Sequence, residues 1–174
     1  MYDFDFVKAV SIEGAVKLLK NDGAQIIAGG QTLVPTLKQR LASPGILISL
    51  TGVNDLIGVY KTTSNEICVG AATTHEQVNR EALDYPALSN LAGKIGDPAV
   101  RYRGTIGGSL ANNDPSACYP AAVLGSGATI VTDIREILAD DFFLGMFETK
   151  LADDEVITKV KFPIPTHANY QKFD

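Results

Sequence analysis

Two pairs of adjacent glycines are the residues of this 174-residue chain whose placement favours ligand chemistry. Gly29-Gly30 follows an apolar run and precedes Gln31-Thr32 at the start of an amphipathic segment, where the free N–H groups of a helix N-terminus favour an anion. Gly107-Gly108 lies in a second such turn, with Thr105 and Ser109 as flanking hydroxyls. Glycine lets a phosphate approach the main chain without a Cβ in the way. Together the turns predict a site for the two phosphates of a dinucleotide, whereas either pair alone is equally consistent with a tight turn.

Other catalytic patterns are absent from the sequence. It has no phosphate-binding loop ending in Gly-Lys-Ser or Gly-Lys-Thr, no nucleophile elbow and no histidine pair at metal-ligand spacing. Gly125 and Gly127 form a Gly-x-Gly pattern that lacks the third glycine and precedes a strand, which argues against a Rossmann site. His75, in the first turn of a predicted helix, and His167, in a proline-rich tail, are interpreted as surface or capping residues, with proton transfer as the alternative.

Charge and cysteine content narrow the classes of partner. The chain has 15 Lys and Arg against 20 Asp and Glu, a net charge of −5 that repels nucleic acid and anionic membranes. Local groups must therefore hold any anionic ligand. Cys68 and Cys118 alone cannot build a zinc or iron–sulfur site and are expected to be reduced. The N-terminus does not resemble a signal peptide and no apolar run reaches the roughly 20 residues of a membrane span, so we expect a soluble, cytoplasmic protein.

Apolar periodicity predicts the elements that position the first glycine pair. Short apolar runs at 4–8, 25–28 and 46–50 indicate strands, and helical spacing indicates helices beginning at Ser11 and near Val34. A strand, helix, strand, helix, strand order at these spacings predicts a small βαβαβ unit with a parallel sheet.

The pattern changes after Gly52. Runs at 56–61 and 66–70 flank a polar turn and predict a hairpin, hence an antiparallel sheet. Thr74 followed by Gln77 is a capping-box signature for a helix through about Leu83. The stretch from 104 to 120 is rich in Gly, Asn, Asp and Pro but carries few charges, which is unusual for an idle loop. The remaining predicted elements are helices at 87–95 and 119–124 and strands at 128–132, 135–138 and 155–162.

Two segments around the glycine pairs closely resemble one known family. Residues 28–35 and 103–111, with Asp114-Pro115 just beyond, are similar to the FAD-binding medium subunit of the molybdenum hydroxylases, which include carbon monoxide dehydrogenase and xanthine dehydrogenase. Supporting similarity runs through residues 70–75, 97–101 and 154–163. The order and spacing of both turns make the resemblance specific.

The resemblance implies an α/β (α+β) fold of two subdomains, a parallel unit at 1–52 and a mainly antiparallel sheet with helices at 53–174, with FAD between them. It also implies a set of cofactor-binding residues and no catalytic residue or metal ligand in this chain. Those assigned to the FAD pyrophosphate are Ile27, Ala28, Gly29, Gly30, Gln31, Thr32, Leu33, Thr105, Ile106, Gly107, Gly108 and Ser109. Those assigned to the ribityl chain and flavin are Asn112, Cys118 and Ile157. The family commonly has an acidic residue where Cys118 stands, and its subunits continue into a C-terminal domain that is expected to be absent here.

The implied function is electron transfer. The resemblance implies partners, namely a small subunit with two 2Fe–2S clusters and a molybdopterin-binding large subunit, in a dimer of heterotrimers. Electrons would pass from the clusters through FAD to NAD, a quinone or another acceptor. The alternatives are a stand-alone flavin oxidoreductase and a non-redox assembly module whose glycine turns are structural remnants.

Several residues near the turns keep more than one interpretation. Asp114 is expected to be a helix N-cap and only secondarily a neighbour of the ligand. Arg101 and Arg103 face a phosphate, a partner or solvent. Tyr102 and Tyr119 either shield the flavin or pack in a core or interface.

Overall fold

A three-stranded parallel sheet forms from the N-terminal segment of the computed structural model, which describes residues 1–172. Its elements are β1 (Asp5–Lys8), α1 (Ile12–Leu19), β2 (Ala24–Ile27), α2 (Leu33–Lys38) and β3 (Ile46–Ser49). The strand order is β1-β3-β2, and β3 is parallel to both neighbours. The βαβαβ prediction is therefore confirmed.

A five-stranded antiparallel sheet with helices forms from the rest of the chain. Its strand order is β4-β5-β10-β6-β7, and a separate hairpin consists of β8 and β9. After a 3₁₀ turn at Asn54–Leu56, the elements are β4 (Val59–Lys61), β5 (Glu66–Gly70), α3 (His75–Glu81), α4 (Pro86–Gly93), α5 (Pro98–Arg101), α6 (Ile106–Asn112), α7 (Cys118–Gly125), β6 (Thr129–Thr132), β7 (Glu136–Leu138), α8 (Ala139–Phe142), β8 (Phe143–Gly145), β9 (Glu148–Thr149) and β10 (Ile157–Pro163).

The main core lies between the helices and one face of the five-stranded sheet. Val69, Val160 and Ile130 lie side by side in the register of β5, β10 and β6, and all three are fully buried. Apolar side chains of α3, α4, α6 and α7 cover this row. A second cluster joins the two sheets, because Ile48 of β3 packs with Leu56 and Val156 of the larger unit.

The stretch at 104–120 is more regular than its composition indicates. Thr105 caps α6 by accepting a hydrogen bond from the N–H of Gly108 at 3.2 Å, and Ile106 and Leu110 of the helix are fully buried. Burial of these two side chains outweighs the low helix propensity of adjacent glycines.

The segment between α6 and α7 corrects one capping prediction. Asp114 is not the N-cap of α7: its carboxylate accepts hydrogen bonds from the N–H and hydroxyl of Ser116, which lowers the pKa of Asp114, and Ala117 is at the cap position. Asn113 has a left-handed backbone with φ 41°. Its amide donates to the carbonyl oxygens of Gly145 and Glu148 at 2.7 and 3.0 Å and so fastens the β8–β9 hairpin to the end of α6.

An ion pair fixes the turn between β6 and β7 against the segment before β10. Arg135 donates to both carboxylate oxygens of Glu155, at 2.8 and 2.6 Å, and the N–H of Ala152 donates to the same carboxylate at 3.0 Å. Glu155 is only 5% exposed. The hydrogen bonds from Arg135 are the largest cause of a lowered Glu155 pKa, about 2.

Over residues 1–172 no helix has the length and apolar character needed to cross a bilayer. In the same residues, His, Cys, Asp and Glu side chains form no group of three or more that could hold a metal ion. Cys68 is buried, Cys118 is half-buried, and both are free thiols.

Candidate functional site

The two glycine turns touch each other through their main chains. A Cβ built on Gly29 would lie 2.1 Å from the carbonyl oxygen of Arg103 and 2.7 Å from Cα of Gly104, and real Cβ atoms essentially never come closer than 3.0 Å to another atom. Only glycine therefore fits at position 29. The contact brings the turn that follows β2 directly against the chain that enters α6.

The first turn keeps unused hydrogen-bond donors. Gly30 has a left-handed backbone with φ 73°, which glycine adopts without strain. Within the part of the chain that the structure describes, the N–H groups of Gly30, Gln31 and Thr32 donate to no protein acceptor. Gln31 and Thr32 are exposed and Gly30 is half-buried. These three donors are available to an anion, as the sequence predicted.

The second turn is built differently. Ile106 donates its N–H to the carbonyl oxygen of Thr73 and Gly107 donates to that of Ala71, at 3.2 and 2.9 Å, while the Gly108 N–H is used by the Thr105 cap. The expectation that this turn offers free N–H groups like the first is therefore wrong at these positions. It offers instead an exposed glycine surface at Gly108 and the half-buried hydroxyl of Ser109.

The two glycines of the second pair have different roles. A Cβ on Gly107 would lie 2.7 Å from the carbonyl oxygen of Ala71, so this glycine permits close packing of α6 on the segment after β5. A Cβ on Gly108 would approach only the Thr105 hydroxyl, at 3.0 Å. The outer side of Gly108 is thus the side from which a ligand can reach this turn.

Thr158, which follows Ile157 in β10, is linked to the second turn by a short chain of hydrogen bonds. The N–H of Ala71 donates to the carbonyl oxygen of Thr158 at 2.9 Å, and the carbonyl oxygen of Ala71 accepts from Gly107. Ile157 itself is only 5% exposed and belongs to the main core. Its side chain therefore has little free surface for a ligand.

Asn112 and Cys118 lie at the far end of α6 and at the start of α7. Asn112 is half-buried. Cys118 packs against the main core together with Tyr170 from the C-terminal segment. Burial is the largest cause of a raised Tyr170 pKa, about 12, and the nearby Cys118 thiol is the next. The thiol therefore lies close to a tyrosine of its own chain.

The two arginines that precede the second turn, Arg101 and Arg103, lie in different surroundings. Arg101 donates to the carbonyl oxygens of Ile95 and Gly96, at 3.3 and 3.0 Å, and its Nε lies 3.5 Å from a carboxylate oxygen of Glu76. It is therefore engaged in holding the protein rather than facing solvent. Arg103 is exposed directly beside the junction of the turns.

The two tyrosines near the turns and the two histidines of the chain differ in exposure. Tyr102 is 60% exposed, whereas Tyr119 is fully buried, so core packing is the outcome for Tyr119.

The interpretation of His75 as a surface residue is wrong: it is 5% exposed, and burial lowers its pKa to about 4. His75 is the first residue of α3, and the cap itself is Thr74. His167 is exposed. Gly104 leaves room for the ring of His75, but it lies 29 positions further along the chain, so no local pattern indicated the burial.

Residues 2–165 match the family model described as the FAD binding domain in molybdopterin dehydrogenase. The chain belongs to this family. The resemblance noted in the sequence is therefore confirmed, and so is FAD as the cofactor of this domain.

Relatives of this FAD-binding family support the assignment along almost the whole chain. The chain is 34% identical to the glyceraldehyde dehydrogenase medium chain of Sulfolobus acidocaldarius and 37% identical to the nicotine 6-hydroxylase medium subunit of Paenarthrobacter nicotinovorans, over 93% and 91% of its length. The carbon monoxide dehydrogenase structure from Hydrogenophaga pseudoflava superposes on 95% of the chain with a TM-score of 0.90 at 33% identity. The match confirms the predicted fold class. The chain spans 60%, 58% and 60% of these three proteins.

The residues at the junction of the turns fit the phosphate groups of FAD. Three unused N–H donors in the first turn lie next to a second turn whose exposed glycine leaves room for a ligand. Arg103 adds a positive charge to a chain whose net charge is −5. Donors, space and a local cation are what a pyrophosphate requires in a protein of negative charge.

Proposed function

We propose that this chain is the FAD-binding part of the medium subunit of a molybdenum hydroxylase complex, with FAD held where the two glycine turns meet. The contact of Gly29 with Arg103 and Gly104 carries this proposal, because it joins turns from different sheets into one surface. The residues assigned to the pyrophosphate are those of the two segments, 27–33 and 105–109. The division into subdomains near residue 52 is part of the same proposal.

Each turn has its own task in holding the cofactor. The N–H groups of Gly30, Gln31 and Thr32 donate to phosphate oxygens, and Gly108 gives the phosphates access to the main chain of the second turn. Ser109 adds a hydroxyl donor. Bound FAD supplies the redox chemistry, since it can take up and release electrons, while the protein binds and orients it.

The flavin end of the site is assigned to Asn112, Cys118 and Ile157. Asn112 ends α6, which begins at the second turn, and Ile157 is the neighbour of Thr158, which Ala71 links to that turn. Cys118 packs against the main core at the start of α7, and its assignment to the flavin is carried over from the family resemblance. Compared with the acidic residue that the resemblance implies here, a thiol removes a negative charge from the surroundings of the flavin.

The proposed complex contains a small subunit with 2Fe–2S clusters and a molybdopterin-binding large subunit, arranged as a dimer of heterotrimers. The names of the relatives, medium chain and medium subunit, support such partners. Electrons arrive from the clusters and leave to NAD, a quinone or another acceptor. The relatives act on substrates as different as glyceraldehyde and nicotine, so no substrate is assigned. Two unpaired thiols are consistent with a reducing cytoplasm.

Purification of the tagged protein from its own cells tests this function. We expect iron, molybdenum and flavin to co-purify with it in fixed ratio through size-exclusion chromatography. Flavin without iron and molybdenum would indicate the stand-alone oxidoreductase. A protein with none of the three would indicate the assembly module.

A further inference from the structure

His75 lies directly against the second glycine turn. Its N–H donates to the carbonyl oxygen of Gly104 at 2.9 Å, and a neighbouring bridge pairs Thr74 with Thr105. The imidazole edge approaches Gly104 as well, because a Cβ built there would lie 2.5 Å from Nε2 and 2.9 Å from Cδ2 of His75. Both the main chain and the ring of His75 thus fix where Gly104 lies.

Gly104 links His75 to the first turn. The α-carbon of Gly104 would lie 2.7 Å from a Cβ on Gly29. His75, Gly104 and Gly29 therefore form a row of direct contacts that runs from α3 to the turn after β2. The imidazole thus lies in the same row of contacts that sets how close the two turns come to each other.

Tyr119 holds the imidazole from within the core. The ring centroids of His75 and Tyr119 are 5.3 Å apart and the rings are tilted by 47°. Among the described residues, Nδ1 of His75 and the hydroxyl of Tyr119 have no hydrogen-bond partner although both are buried. An apolar side chain would avoid the cost of burying such atoms, so stability alone does not account for a histidine here. Its low pKa keeps the ring neutral at pH 7.

We propose that the buried imidazole of His75 sets the spacing between the two glycine turns and is therefore a positioning residue for FAD. This inference rests on the proposed binding of FAD at the turns. It assigns His75 no contact with the cofactor; the residue acts through Gly104. Misplacement of binding groups by a fraction of an ångström is enough to weaken a preorganised site.

The first test compares His75→Ala with His75→Gln and with a control in the core. Glutamine reaches about as far as Nε2, so H75Q should keep the affinity for FAD within about threefold, whereas H75A should weaken it by at least about tenfold. Ile137→Ala is the control, because this buried residue lies on β7 at the edge of the sheet. It should lower the unfolding temperature and leave the dissociation constant of the folded protein unchanged.

The second test is a double-mutant cycle with Gly104→Ala. The added methyl group collides with the imidazole, so G104A should bind FAD weakly, and either H75A or the flexible glutamine of H75Q should restore part of that loss. The H75Q pair keeps the test valid if H75A fails to fold. An H75A protein with wild-type affinity, or a G104A defect that neither His75 change relieves, would overturn the inference while the proposed function stands. A folded wild-type chain that binds no FAD would overturn both.

Discussion

Gly29→Ala probes the junction of the two turns more directly than any other single change. The added Cβ would lie 2.1 Å from the carbonyl oxygen of Arg103 and 2.7 Å from Cα of Gly104. Both partners are main-chain atoms, so neither can rotate away. The turns must separate by about 0.9 Å to bring the first contact back to 3.0 Å.

The size of the effect follows from the cost of overpacking. Inserting a methyl group into a closely packed site costs about 1–3 kcal/mol. Half of that cost lowers the affinity for FAD by about two- to twelvefold, and the whole of it lowers the affinity by about five- to 160-fold. For a chain of this length each kcal/mol lowers the unfolding temperature by roughly 2–4 °C, so a cost of about 1–3 kcal/mol should make G29A unfold about 2–12 °C below the wild type.

The assay is a titration of each purified variant with FAD, followed by flavin fluorescence, with thermal unfolding measured by circular dichroism. Gly45→Ala is the matched control, because a Cβ on Gly45 meets no atom within 4 Å and its φ is not positive. G45A should behave like the wild type in both measurements. A G29A protein that matches G45A in affinity and unfolding temperature would refute the contact between the turns. One that is destabilised but binds FAD normally would refute its role in positioning the cofactor.

Three further changes test separate parts of the structure. Gly108→Val should abolish FAD binding and change the unfolding temperature by less than about 4 °C, because the new side chain meets one hydroxyl and otherwise fills the ligand side of the turn. Valine at position 30 would in addition strain the backbone, because Gly30 has a positive φ. Glu155→Gln should remove up to about 3 kcal/mol of stability at pH 7 in urea unfolding, because Arg135 lowers the Glu155 pKa from 4.5 to about 2. The difference between the two proteins should disappear as the pH falls from about 5 towards 2, because protonation of Glu155 removes this contribution from the wild type. Asn113→Ala should lower the free energy of unfolding by about 2 kcal/mol and increase proteolysis of the β8–β9 hairpin, because two hydrogen bonds to the hairpin are lost. An unchanged rate of proteolysis in the hairpin would contradict the role of these hydrogen bonds.

The parallel unit was predictable because its local signals agree with its packing. Ser11 caps α1 by accepting a hydrogen bond from Gly14 at 3.0 Å, as its position before a helical pattern indicates. Gly23, with φ 68°, ends the segment after that helix. The capping box at Thr74 is half confirmed: Thr74 accepts from the N–H of Gln77, but the Gln77 side chain bonds Glu81 instead.

The errors occur where long-range contacts decide the structure. The sequence at 104–120 favours turns locally, yet α6 forms there because Ile106 and Leu110 are buried against distant strands. The use of the Gly107 N–H by Ala71 depends on a partner 36 positions earlier, which no local pattern reveals. The burial of His75 likewise depends on Gly104 and Tyr119.

The binding of FAD where the turns meet is tested most directly by titrating the chain with FAD and, in parallel, with FMN. FMN lacks the AMP half and so cannot use both turns through a pyrophosphate. We predict one FAD bound per folded chain, with FMN bound at least about a hundredfold more weakly, which corresponds to the loss of several hydrogen bonds. Equal affinity for the two flavins, or no FAD bound by a chain shown to be folded, would contradict a dinucleotide site formed by these turns.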